Sequence, residues 1–95
     1  MRTGKITASG KPDAYESILQ PRKHATKGIP LSFDEAVAHV QHGGDVYAKN
    51  KKTAYRIAKA AGNTEPVHDN PHLPGQHPHY HPTRNGQRCG GHVLY

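Results

Sequence analysis

The sequence predicts a small α+β domain in which a helical portion packs on a small antiparallel sheet. Three observations carry this. A capping signature opens an apolar run of helical period at Ser32. Short strand-like stretches follow at 45–49, where polarity alternates, and at 91–95. Between them, prolines at 66, 71, 74, 78 and 82 rule out regular helix, because proline lacks the amide donor and clashes with the preceding turn.

The elements follow in order. Residues 1–30 are basic and broken by Gly4, Gly10, Pro12, Pro21, Gly28 and Pro30. They read as an arm or linker, partly ordered, in which only 15–19 has the apolar content to dock on a core. The domain proper is expected over 31–95. Ser32 and Glu35 form a capping box, and Leu31 sits where a staple would. Phe33, Ala36, Val37 and Val40 continue at helical spacing, and Gly43-Gly44 ends the helix. Residues 45–49 alternate and suit a strand. Asn50-Lys51-Lys52 makes a turn. Residues 53–61 then give a second helix with Ala54, Ile57, Ala58 and Ala61 on one side, stopped by Gly62-Asn63. The proline-punctuated stretch 64–82 is expected to run extended over the surface. Thr83-Arg84-Asn85-Gly86 is a turn signal. It closes a hairpin with residues 78–82 on one arm and 88–95 on the other.

Composition limits the possibilities. The chain has 95 residues, of which only 33% are hydrophobic, with no Trp and one Phe, so the core must be small. The net charge of +6 favours a polyanionic partner: nucleic acid, an anionic membrane surface or an acidic protein. A single cysteine forbids an intrachain disulfide. No apolar run reaches the roughly 18 residues that span a membrane, and the first fifteen residues lack the apolar core of a signal peptide.

The chemistry concentrates at the end of the chain. Six of the nine histidines lie beyond residue 67, and the last acidic residue is Asp69. His79 and His81 are two apart, so on a strand they share a face. His92 comes from the other arm of the expected hairpin, with Arg84 and Arg88 close to its turn. A neutral imidazole takes a proton, a protonated one returns it, and guanidinium groups hold a phosphate. RNA supplies its own nucleophile, the 2′-hydroxyl. This set therefore suffices for RNA cleavage without a metal or other cofactor, through a 2′,3′-cyclic phosphate. Tyr80 and Tyr95 can stack on bases or donate a hydroxyl, or simply pack on the core. Lys49, Lys51, Lys52, Arg56 and Lys59 form a second basic run that can track a nucleic-acid backbone or be a solvated face. His79, His81, Cys89 and His92 are also four conceivable zinc ligands, at a spacing that matches no standard zinc motif. The alternatives left open are a His-ligated, metal-dependent DNA nuclease and a non-catalytic nucleic-acid- or protein-binding module. His24, His39, His42, His68, His72 and His77 read as surface residues.

Taken together, SFDEAVAHVQHGGDVYAKNKKTAYRIAKAAG and PHYHPTRNGQRCGGHVLY resemble the C-terminal toxin domains of bacterial polymorphic toxin systems. The ending carries most of the likeness, which spans about residues 31–95. The resemblance implies a ribonuclease toxin related in fold to the barnase-like, EndoU-like and RelE-like group. In it His79, His81 and His92 supply the ending's histidines and Tyr95 its tyrosine. It further implies a monomeric effector, secreted or delivered by contact and acting in the target-cell cytoplasm on RNA, with tRNA among the candidate substrates. A cognate acidic immunity protein would cover its basic site, and any delivery signal would lie on an upstream part of the parent chain.

Overall fold

A computed structural model describes residues 12–18, 26–69 and 77–95. His24, His72 and most of the expected N-terminal arm lie outside the described residues. Nine elements follow in the order β1 (Ala14–Ile18), β2 (Thr26–Leu31), α1 (Phe33–Gln41), β3 (Val46–Ala48), α2 (Lys51–Ala61), β4 (Thr64–Asp69), β5 (His79–Arg84), β6 (Gln87–Arg88) and β7 (Val93–Leu94). The strands form one sheet in the order β2-β1-β3-β7-β5-β4, with β6 beside β5. The architecture is α+β, as expected. The helices, however, are inserted between strands rather than preceding the sheet. The sheet is also mixed, because β3 and β7 run parallel while the other pairs are antiparallel.

Local chemistry sets the helices. Ser32 Oγ accepts from the Glu35 amide at 3.2 Å, and Glu35 accepts from the Ser32 amide at 3.0 Å, closing the capping box at α1. Helix α2 starts two residues earlier than the sequence suggests. Asn50 caps it by accepting from the Thr53 amide at 2.8 Å, so Lys51 and Lys52 belong to its first turn. Both helices lie on one side of the sheet. Ala54, Ile57, Ala58 and Ala61 of α2 and Ala36 and Val40 of α1 are buried with Val46, Ala48 and Val93 from the strands. Small side chains on α2 bring it close to the sheet, which suits a chain with few large apolar residues.

Of the two strands that begin before residue 31, β1 falls where the sequence suggests a short docking element at 15–19, and β2 falls where it suggests only arm or linker. β1 and β2 pair antiparallel within the first 31 residues, and β1 also pairs β3, so the sheet begins well before residue 31. β4 is a true edge strand rather than chain draped over the surface. Its register with β5 shifts between Thr64 and Val67, opposite Pro82. Pro66 and Pro82 remove ladder donors at that point, and a bulge is where a sheet tolerates the loss.

The terminal hairpin forms and then breaks in a particular place. Asn85 (φ 55°) and Gly86 (φ 82°) make its two-residue turn with both φ angles positive, as Asn-Gly favours. Arg88 pairs with Thr83 and Val93 with Tyr80. Five residues thus return against three, and the stretch between Arg88 and Val93 bulges out. Gly91 allows this, because a Cβ there would sit 1.7 Å from the Gly44 carbonyl oxygen. The two glycine pairs of the sequence, 43–44 and 90–91, therefore meet, and the contact delivers His92 beside Asp45.

Candidate active site

Strand alternation sorts the C-terminal side chains onto two faces. Register pairs Tyr80 with Val93 and His79 with Leu94. Val93 belongs to the core under the helices, so Tyr80 faces the helices and His79 faces the opposite side of the sheet. His81 shares the face of His79, and His92, two residues before Leu94, joins them. The three rings meet: centroids are 4.9 Å apart for His79 and His81, 5.3 Å for His79 and His92, and 4.5 Å for His81 and His92.

Two carboxylates from distant parts of the chain hold this cluster. Asp45, at the entrance to β3, accepts from His92 Nδ1 at 2.7 Å and from the His92 amide at 2.8 Å through the same oxygen. That fixes the ring and leaves Nε2 for other work. Asp69, at the end of β4, lies opposite His79 in the ladder. Its Oδ2 is 2.8 Å from His81 Nε2 and 3.6 Å from His79 Nε2, and its Oδ1 is 3.3 Å from Arg88. An acceptor at His81 Nε2 places the neutral ring's proton there and its lone pair on Nδ1. His79 turns Nδ1 to the backbone carbonyl of His77 at 3.1 Å.

The environments pull two of these imidazoles in opposite directions. Burial pushes the His81 pKa below the ordinary histidine value. The charges of His92 and His79 add to that, against the pull of Asp69. The hydrogen bond to Asp45 pushes the His92 pKa above that value, with the charges of Asp45 and Asp69 helping and burial opposing. Burial works to raise the pKa of Asp45, but the hydrogen bond and charge of His92 outweigh it and hold the carboxyl low. At Asp69 desolvation is likewise overcome, here by Arg88 and then His81. The site thus sets a histidine that gives up its proton more readily than usual, His81, beside one that holds its proton more tightly, His92.

Not every predicted site residue arrives. Arg88 does, with its guanidinium on Asp69. Arg84 is exposed and belongs by alternation to the Tyr80 side of β5. Tyr95 packs on the core side with Tyr80, ring centroids 6.0 Å apart, and its hydroxyl bonds His68 Nε2. Tyr80 also packs edge-on to Tyr55 and His68, at 5.6 and 4.9 Å. Both tyrosines therefore act in packing, on the face opposite the histidines. The basic run lies past the far end of β3 from Asp45, on the helical layer. There Lys49 pairs with Asp13 at 3.0 Å, Arg56 sits 5.6 Å over the Phe33 ring, and Lys51 and Lys52 are exposed. His68, expected on the surface, is half-buried.

The ligand atoms of His79, His81 and His92 all lie within 4.8 Å of one another, so these three residues could hold a metal ion. Tetrahedral zinc needs its nitrogens roughly 3.4 Å apart, given bonds of about 2.0–2.1 Å. The widest pair would have to close by more than an ångström. Cys89 is a half-buried free thiol bound through its amide to Pro82, and it is not part of this group.

No family model matches the chain, and neither a curated protein nor a solved structure matches it. Its function must be argued from the site itself.

Proposed function

We propose that this domain is a metal-independent endoribonuclease in which His81 is the general base, His92 the general acid and Arg88 the phosphate clamp. The observation that carries the reading is the opposed pair: two imidazoles with ring centroids 4.5 Å apart, one with its pKa pushed down and the other with its pKa pushed up, beside a guanidinium. His81 Nδ1 removes the proton of a 2′-hydroxyl, and the freed oxygen attacks the adjacent phosphorus. Arg88 balances charge on the non-bridging oxygens. His92 delivers its Nε2 proton to the departing 5′-oxygen. The products are a 2′,3′-cyclic phosphate and a 5′-hydroxyl end. His79 lines the same space, and Asp45 and Asp69 set the two tautomers. DNA, lacking the nucleophile, is spared.

The likeness of the chain's ending to polymorphic toxin domains supports an effector role in a target cell, monomeric and neutralised by an acidic immunity protein. The net charge of +6 suits both such partners, RNA and inhibitor.

The test is direct. Purified domain is incubated with tRNA, ribosomal RNA and duplex DNA, with and without EDTA. RNA-only cleavage that survives EDTA and disappears in His92→Ala supports the proposal. Activity lost on chelation transfers the three histidines to a metal-dependent nuclease. Binding without cleavage of any substrate indicates a non-catalytic module.

A further inference from the structure

The three histidines share a pattern beyond their opposed acidities. Each ring has one nitrogen beside an oxygen that can only accept. His92 Nδ1 lies 2.7 Å from Asp45 Oδ1, His81 Nε2 lies 2.8 Å from Asp69 Oδ2, and His79 Nδ1 lies 3.1 Å from the His77 carbonyl oxygen. In the neutral rings the proton sits on these nitrogens, so the lone pairs fall on His92 Nε2, His81 Nδ1 and His79 Nε2. Metal-binding histidines are held in the same way: the far nitrogen donates to a carboxylate or a backbone carbonyl, which fixes the tautomer and the ring. One ring nitrogen from each histidine lies within 4.8 Å of the other two. The group is also accessible, because the His92 side chain is 42% exposed and that of His79 23%. Asp45 and Asp69 bring two negative charges to it, partly offset by Arg88.

We infer that His79, His81 and His92 form a three-histidine site for Zn²⁺ whose occupation switches the ribonuclease off. This deepens the ribonuclease reading and rests on it for the effect on activity, but not for the binding. Imidazole suits zinc, whereas magnesium and calcium prefer oxygen ligands. Three histidines and a water complete a tetrahedral zinc site. The nitrogens must draw in to roughly 3.4 Å of one another, which small turns of the side chains within their staggered wells accomplish. Coordination and acid–base catalysis then exclude each other. His81 Nδ1 needs its lone pair to take the 2′-hydroxyl proton, and zinc occupies that pair. His92 Nε2 needs a proton for the departing 5′-oxygen, and zinc binding releases that proton to water. The same residues therefore serve as catalyst when metal-free and as ligands when loaded.

The experiment reads binding and cleavage separately. The domain is stripped with EDTA, exchanged into chelator-free buffer and titrated with ZnCl₂ by calorimetry. Cleavage of a fluorogenic oligoribonucleotide is followed over the same zinc concentrations. One ion per chain is expected, with a raised melting temperature. Asp45→Asn should weaken zinc binding about 10- to 100-fold, the usual effect of altering the partner behind a histidine ligand, and His79→Ala should weaken it by more than about 100-fold. Melts of the metal-free variants report whether they fold. Wild-type cleavage should fall to background with a midpoint at the calorimetric Kd and return on adding EDTA, while Mg²⁺ does neither. In Asp45→Asn the inhibition midpoint should move with its Kd. No one-to-one site, or an affinity unchanged in both His79→Ala and His81→Ala, overturns the inference. Zinc held by the histidines with cleavage undiminished overturns the switch. If zinc binds there and RNA is cleaved only in its presence, the site stands and both the switch and metal-free catalysis fall. If zinc binds there and RNA is never cleaved, the site again stands and the ribonuclease reading falls. RNA cleavage with no zinc bound and no inhibition gives the reverse.

Discussion

Asp45→Asn is the most informative single substitution. One oxygen of Asp45 accepts both from His92 Nδ1 at 2.7 Å and from the His92 amide at 2.8 Å. Asparagine keeps an oxygen for the amide and removes the charge opposite the ring. A hydrogen bond to a charged group contributes about 1.5–3 kcal/mol. If that contribution is fully expressed when His92 gives up its proton, kcat/KM falls about 10- to 150-fold. The pH profile moves as well. His81 must be neutral and its pKa is depressed, so the acid limb lies below about pH 6.5; His92 must be protonated and its pKa is raised, so the alkaline limb lies above about pH 6.5. In Asp45→Asn the alkaline limb shifts to lower pH and the acid limb stays. Stability follows the same pair. The His92 contribution is fully present below its unfolded pKa of about 6.5 and is lost as pH rises through the raised folded value. The Asp45 contribution is present above about pH 3.9 and is lost as pH falls through the lowered folded value. The difference in melting temperature between wild type and variant should therefore be widest from roughly pH 4 to 6.5 and shrink at alkaline pH. Steady-state cleavage of a fluorogenic oligoribonucleotide from pH 4 to 9, with thermal melts across the same range, makes both measurements. An alkaline limb that does not move, with activity within twofold of wild type, refutes the assignment of His92 as acid.

Further outcomes follow from the same geometry. Arg88→Ala should lower kcat/KM about tenfold to a hundredfold, at or below the usual worth of an oxyanion donor because the side chain is 58% exposed, and Arg88→Lys should recover part of the loss. Asp69→Asn removes a charge that raises both the His81 and the His92 pKa, so both limbs of the profile should shift to lower pH. Ile57 is fully buried between α2 and the sheet. Ile57→Ala should cost about 2–5 kcal/mol in denaturant unfolding and Ile57→Val about 0.5–1.5 kcal/mol.

What the sequence discloses and what it hides follow a physical division. The helix at 33–41 is legible because its signal is local: Ser32 and Glu35 are three residues apart and bond each other. The Asn50 cap of α2 is equally local, but the lysines after it read as a turn, since a helix seldom opens with cations at its positive end. β4 is half legible: its prolines exclude helix and leave extended chain, and only the bulge opposite Pro82 shows how such a chain joins the sheet. The parallel β3–β7 pairing is hidden because it joins Val46 to Val93 across nearly half the chain. Within the site, the period of two brings His79 and His81 to one face, and the return of the hairpin adds His92. That same period assigns Tyr80 to the opposite face, where its ring is found. Asp45 and Asp69 are the groups beside the histidines that sequence reasoning did not place there. Asp45 reads as a cap at the start of its strand, and Asp69, next to His68, completes no metal-nuclease motif. Only the meeting of the two glycine pairs, and the β4–β5 ladder, turn them toward the histidines. A tail without acidic residues but crowded with histidines was itself a signal that counter-charges had to come from elsewhere.

The central claim is that a 2′-hydroxyl attacks a phosphate bound beside His81 and His92 with no metal involved. A DNA oligonucleotide containing a single ribonucleotide, incubated with the domain in excess EDTA, tests it most directly. The account predicts one cut, on the 3′ side of that ribonucleotide, leaving a 2′,3′-cyclic phosphate, and none once His92 is alanine. Cutting at deoxynucleotide linkages, or no cutting until a divalent metal is restored, would contradict it.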